Sequence, residues 1–140
     1  MRLARRLALA LEPGDVVFLE GALGAGKTFF VRAACRALGV SSRVPIQSPT
    51  FALVHEHEGR SRIVHADLYR LGDASELDEL GLGEMLEGAV GFVEWGLRFA
   101  DALGADGVVV ALSLAERGRA ARVSARGPRG RAIVERIVEA

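Results

Sequence analysis

The chain has 140 residues, half of them hydrophobic, and balances 18 basic side chains against 18 acidic ones. That length suits one hydrophobic core, so residues 1–140 read as a single domain. No stretch approaches the roughly 20 apolar residues of a membrane-spanning helix, and the one cysteine excludes an internal disulfide and fits a reducing cytoplasm.

Met1 to Leu11 combines arginines with Leu and Ala. It reads as an amphipathic first helix, not a leader peptide, because its apolar part is short and leads straight into a strand. That strand is Val16-Val17-Phe18-Leu19, a short apolar run of strand formers. Gly21-Ala22-Leu23-Gly24-Ala25-Gly26-Lys27-Thr28 follows and matches the P-loop pattern G-x-x-x-x-G-K-[ST] at each fixed position. Lys27 is the only lysine in a chain that otherwise uses arginine. Its compact ammonium reaches phosphate oxygens as a point charge, where a planar guanidinium does not fit. The glycines let the backbone wrap closely and turn N–H groups inward as an anion nest.

Thr28 opens a helical pattern running to about Leu38. Phe30, Val31, Ala34, Cys35 and Leu38 share one face, and Gly39 is its stop. Cys35 on that face reads as core. Strand, glycine loop and helix N-terminus in this order form a phosphate site. Expected nucleotide contacts run over Gly21, Leu23, Gly24, Ala25, Gly26, Lys27, Thr28 and Phe29. Lys27 serves the β- and γ-phosphates, and the Thr28 hydroxyl is an expected Mg²⁺ ligand.

Farther along, residues 51–57 and 62–69 read as two strands of a hairpin with residues 58–61 as its turn. Asp73 starts a short helix, and residues 83–87 form a second short piece. Residues 89–93 are a buried strand ending at Glu94-Trp95. Residues 97–103 read as a short helix, 108–114 and 121–125 as strands, and 130–139 as a closing helix. The pattern implies an α/β P-loop NTPase fold, with a mixed, mostly parallel sheet, an inserted β-hairpin and flanking helices.

Three further residues complete the expected site. Glu94 ends a buried strand at the carboxyl edge of the sheet, where a carboxylate can hold Mg²⁺. Asp67 lies where the second hairpin strand turns away, and can orient an attacking water or help bind the metal. Thr50, after Ser48-Pro49, can sense the γ-phosphate or Mg²⁺ as a switch threonine. Lys27, Asp67 and Thr50 are thus the candidate catalytic residues, and Thr28 and Glu94 the candidate metal ligands. Arg70 and Arg98 are candidates for a charge-stabilising arginine. His55 and His57 alternate on one strand and share a face, but with His65 they lack the further ligands of a zinc site. Trp95 packs near the nucleotide or forms partner surface.

The charge is unevenly distributed. Residues 72–94 carry seven carboxylates and no basic residue, whereas residues 117–136 carry seven arginines and one Glu. Such segregation serves a protein partner, RNA or neutralisation within the fold. The chain has no asparagine, so an N-K-x-D guanine-specificity motif is impossible and an ordinary GTPase is excluded.

Ser48-Pro49-Thr50-Phe51, His65-Ala66-Asp67-Leu68-Tyr69-Arg70-Leu71, Glu76-Leu77-Asp78-Glu79-Leu80-Gly81-Leu82 and Val93-Glu94-Trp95 follow the P-loop in this order. From about Gly14 to Trp95, and more weakly to the end, the chain resembles the TsaE (YjeE) family of small ATPases in bacterial tRNA threonylcarbamoyladenosine biosynthesis. The resemblance implies ATP and Mg²⁺ as cofactors, a cytoplasmic location, and TsaD and TsaB as partners. It implies ATP hydrolysis that switches or resets the partner complex, with tRNA contacted indirectly. It also implies a metal-linked acid at Glu94 and a catalytic role at Asp67. The chain departs from the family pattern at Ala22, usually Asp, at Phe29, often Thr, and at Gly96, often Pro. Its segment before Gly14 also looks shorter than usual. The residues alone leave two rivals. One is a small-molecule P-loop kinase using Asp67 as base; the other is a nucleotide-binding module with negligible hydrolysis.

Overall fold

The computed structural model describes residues 2–22, 24–49, 53–104 and 106–139. Among them one sheet runs in the order β2-β3-β4-β1-β5-β6. Its strands are β1 (Val16–Glu20), β2 (Val54–Glu58), β3 (Arg62–Asp67), β4 (Val90–Glu94), β5 (Gly107–Leu114) and β6 (Arg119–Arg126). β3, β4, β1 and β5 are mutually parallel, and β2 and β6 close the two edges as antiparallel partners. The expected hairpin is therefore β2–β3, but β3 is a full member of the parallel sheet and only β2 is added at the edge. The helices are α1 (Arg2–Ala10), α2 (Lys27–Ala37), α3 (Ala74–Leu80), α4 (Leu82–Leu86) and α5 (Gly127–Glu139).

Strand periodicity divides the core into two layers. Val17, Leu19, Phe92, Val108 and Val110 pack with α1, α2 and α5, through Leu7, Phe30, Val31 and Ile133. Val16, Phe18, Val64, Ala66 and Val93 face the other way, onto Leu68, Leu77, Leu82, Leu86 and Phe99. α1 buries Ala4, Leu7, Ala8 and Ala10 at helical spacing and turns Arg2, Arg5 and Arg6 outward. The expected amphipathic first helix is thus a packed element of the fold.

Several expected boundaries move, for reasons the contacts show. Residues 97–103 form only a 3₁₀ turn, Leu97–Phe99. There the Leu97 N–H donates to Glu20 Oε1 at 3.0 Å, and the Arg98 guanidinium donates to the Leu68 and Leu71 carbonyls, which pins the turn. Strand β6 is longer than expected because it pairs with β5 from Arg119 to Arg126. α5 starts at Gly127, not residue 130, because Asp106 accepts the N–H groups of Arg129 and Gly130 at 3.0 and 2.8 Å. In the hairpin, the first strand starts at Val54 and Glu58 belongs to it, paired with Arg62. Phe51 lies outside the described residues.

The arginine-rich end is partly neutralised within the fold. Arg129 binds Asp15 through two bonds of 2.8 Å, and Arg126 stands 3.5 Å from Asp101. Asp73 caps α3 by accepting from Ser75 and Glu76, which holds its carboxyl below the usual range.

Burial raises the Asp106 carboxyl, but hydrogen bonds from Gly130 and Arg129 outweigh it and hold the group below its ordinary 3.8. A folded value below the unfolded one gives stability that is present above the unfolded value and lost as pH falls through the folded one. Asp106→Ala is therefore expected to cost about 1–2 kcal/mol at neutral pH. Urea unfolding should show the difference from wild type shrinking towards pH ~2.

Candidate functional site

β1, β3 and β4 deliver their carboxyl ends to one edge, where ligands bind in open α/β sheets. A cleft of about 310 Å³ opens there, lined by Gly24, Gly26, Lys27, Thr28, Phe29, Ser48, Asp67, Tyr69, Glu94 and Trp95. Most of the expected residues thus meet. Leu23 and Thr50 lie outside the described residues.

Lys27 opens α2 and is 6% exposed. Its Nζ donates to the Gly21 carbonyl at 2.6 Å and the Ala22 carbonyl at 3.1 Å, and lies 4.4 Å from the Trp95 ring centroid. Trp95 in turn packs on Tyr69, with ring centroids 4.9 Å apart. Trp95 therefore forms a wall of the cleft. Its φ of 58° and that of Leu53, 63°, lie in the left-handed region. Such conformations cost on the order of 1–2 kcal/mol each and persist where surrounding structure imposes them. The imposing bonds are Trp95 N–H to the Leu19 carbonyl at 3.3 Å, and Asp67 N–H to the Leu53 carbonyl at 2.9 Å.

Thr28 Oγ1 sits 3.4 and 3.3 Å from the two Glu94 carboxylate oxygens. A hydroxyl and a carboxylate converging beside a phosphate-binding loop form the hard-oxygen donor set that suits Mg²⁺. The residues present fit that ion. Asp67, 7% exposed, accepts Ser48 Oγ at 3.0 Å on one oxygen and the Tyr69 N–H at 3.0 Å on the other. It both caps the following turn and lines the cleft. The expected arginines separate: Arg98 is bound to the Leu68 and Leu71 carbonyls, while Arg70 is exposed beside Asp67.

His65, set aside above as a zinc ligand, belongs to the site in another way. It is fully buried, and its Nε2 lies 2.5 Å from Glu94 Oε2. The signal was available: Ile63, His65 and Asp67 alternate onto one face of β3. His65 faces Glu94, whereas His55 and His57 stack edge to face on β2 at 6.3 Å. Burial, first of all, lowers the His57 value and favours its neutral form. Among the described residues no three His, Cys, Asp or Glu side chains gather to hold a metal. Burial pushes the Cys35 thiol up to about 12, so it is inert core.

Close approach of a backbone oxygen requires glycine at Gly21, whereas the neighbour of Gly26 is the end of a flexible side chain. A Cβ on Gly21 would meet the Leu112 carbonyl oxygen at 2.5 Å, and one on Gly26 would meet Arg119 Nε at 2.9 Å. Both have positive φ, 145° and 103°. The Ala25 side chain is core, and its N–H is committed to the Ala22 carbonyl at 3.0 Å.

The family model "Threonylcarbamoyl adenosine biosynthesis protein TsaE" matches residues 1–123. The chain belongs to the TsaE family. It is 44% identical over 113 residues to the tRNA threonylcarbamoyladenosine biosynthesis protein TsaE of Mycobacterium bovis, covering 74% of this chain and 66% of that one. The Aquifex aeolicus TsaE is 40% identical over 95 residues, covering 67% of each chain. The crystal structure of Bacillus subtilis YdiB superposes with a TM-score of 0.78 at 28% identity, over 99% of this chain and 86% of that one. The chain spans 66% of the length of the mycobacterial relative, just under two thirds. At Ala22 the Lys27 contact is made by the main-chain carbonyl and does not depend on the side chain.

His65→Ala would leave the Glu94 carboxyl buried without its partner and open a void. Loss of about 2–4 kcal/mol is expected. Urea unfolding of the purified variant checks it, and an unchanged midpoint would show that the His65–Glu94 bond contributes little.

Proposed function

We propose that this chain is an Mg²⁺-dependent ATPase of tRNA threonylcarbamoyladenosine biosynthesis, acting as a switch or reset factor on a TsaD–TsaB complex. One observation carries the reading: Lys27, Thr28, Glu94 and Asp67 converge in a single cleft at the carboxyl edge of a TsaE-family fold. Family membership supports the pathway, and the cleft supports the chemistry.

Each residue has a distinct part. Lys27 exchanges its loop carbonyls for β- and γ-phosphate oxygens. The first turn of α2 presents unpaired N–H groups to the same anion. Thr28 and Glu94 hold Mg²⁺, which when bound neutralises charge developing on the phosphates. His65 fixes the Glu94 carboxyl in place. Asp67, oriented by Ser48 and Tyr69, positions a water whose oxygen attacks the γ-phosphorus. The bond from that phosphorus to the β–γ bridging oxygen breaks, leaving ADP and inorganic phosphate. Thr50 senses the γ-phosphate, so ATP- and ADP-bound forms differ in partner affinity. tRNA is reached through the complex.

ATP turnover of the purified chain, alone and with a TsaD–TsaB pair, tests the reading. Stimulation by the pair is expected, and turnover indifferent to it would favour a small-molecule kinase. Lys27→Ala should lower turnover by at least ~100-fold, a loss of about 2.7 kcal/mol of transition-state stabilisation. Normal turnover in that variant would overturn the assignment.

A further inference from the structure

Beside the nucleotide cleft lies a second pocket of about 290 Å³, lined by Glu20, Tyr69, Trp95, Leu97 and Arg98. Tyr69 and Trp95 line both spaces, so their packed rings separate one from the other. Glu20 ends β1, and Trp95 follows β4 on the neighbouring parallel strand, one position beyond the paired Leu19 and Glu94. The carboxylate and the indole therefore leave the sheet edge at the same level. The hydrolysis described above uses neither Glu20 nor Arg98.

Glu20 is only half satisfied. Its Oε1 accepts the Leu97 N–H at 3.0 Å, and among the described residues Oε2 has neither hydrogen bond nor ion pair. Arg98 stands on the same rim without pairing to it. Its guanidinium donates to the Leu68 and Leu71 carbonyls and sits 4.6 Å from the Phe99 ring centroid. The Trp95 ring already takes one cation, Lys27, from the cleft side, and Tyr69 is half exposed. A free carboxylate oxygen beside aromatic rings selects positive charge. The oxygen accepts charge-assisted hydrogen bonds, and the ring faces attract a cation. A planar guanidinium meets both demands at once, stacking on a ring while its edge donates to the carboxylate. A compact, strongly hydrated ammonium does so less well.

We propose that this pocket is a docking site for a guanidinium, an arginine side chain presented by the protein partner. The inference rests on the partner-dependent reading above and names the chemistry by which the partner engages the wall of the cleft. Bound there, the arginine touches Trp95, which also touches Lys27, so partner and phosphates meet at one side chain.

Trp95 is the only tryptophan, so its fluorescence reports on the pocket directly. The full chain is titrated at constant ionic strength with N-acetyl-arginine amide and with its citrulline counterpart, which has nearly the same shape and no charge. The arginine probe should give a saturable change in the millimolar range, and the citrulline probe should bind roughly 10-fold more weakly. Glu20→Gln keeps an oxygen for the Leu97 N–H, so its thermal midpoint should stay near that of wild type. Its affinity for the arginine probe should fall by about 10-fold. Equal affinities for the two probes, or arginine binding that survives Glu20→Gln, would overturn the proposal. With a TsaD–TsaB pair the same variant should keep its basal ATP turnover and lose most of the stimulation. Stimulation at the wild-type level would also overturn it. A pair that fails to stimulate the wild-type chain would instead remove the partner-dependent reading, and the probe titration would still decide the pocket.

Discussion

The site depends on one register. β1, β4 and β3 lie parallel, with Leu19 opposite Glu94 and Glu94 opposite Asp67. The start of the loop, the metal-suited acid and the second acid therefore reach the sheet edge at the same level. A slip of one residue in β4 would turn Glu94 onto the other face, between Phe18 and Ala66. The His65–Glu94 bond opposes that slip. His65 is fully buried, so its ring finds no water if the pairing fails. The same bond that orients the acid also specifies the alignment of the strands carrying it.

The loop itself is set between two unlike walls. On one side Trp95 and Tyr69 stack beside Lys27. On the other, the β5–β6 hairpin leaves no space for a Cβ at Gly21. Gly21 thus meets two demands at once: it adopts positive φ, and it admits a neighbouring strand. The strain at Trp95 belongs to the same arrangement. Its backbone turns sharply enough to bring the ring over the lysine while its N–H still bonds to β1.

Local signals carried much of this into the sequence. The fixed spacing of the P-loop residues placed Lys27 and Thr28 at a helix start, and the apolar run before Glu94 placed that acid at a strand end. Short continuous apolar runs marked β1 and β4 as buried strands. What escaped was set by contacts distant in the chain. His65 acquires its meaning only from Glu94, 29 positions away. Arg119 lies against Gly26, a product of strand order that no local pattern encodes. The length of α5 depends on Asp106, more than 20 positions from its cap partners. Arginine composition marked a basic segment but did not reveal that Arg129 is bound to Asp15.

The charges lining the cleft constrain how the proposed ligand sits. Glu94 and Asp67 border one end of the cleft, and a bare polyphosphate placed beside two acids is repelled. Lys27 offers a single positive charge to share among the terminal phosphates. A divalent cation held by Thr28 and Glu94 would remove that conflict, turning Glu94 from a repulsive neighbour into a ligand and leaving Asp67 to a water.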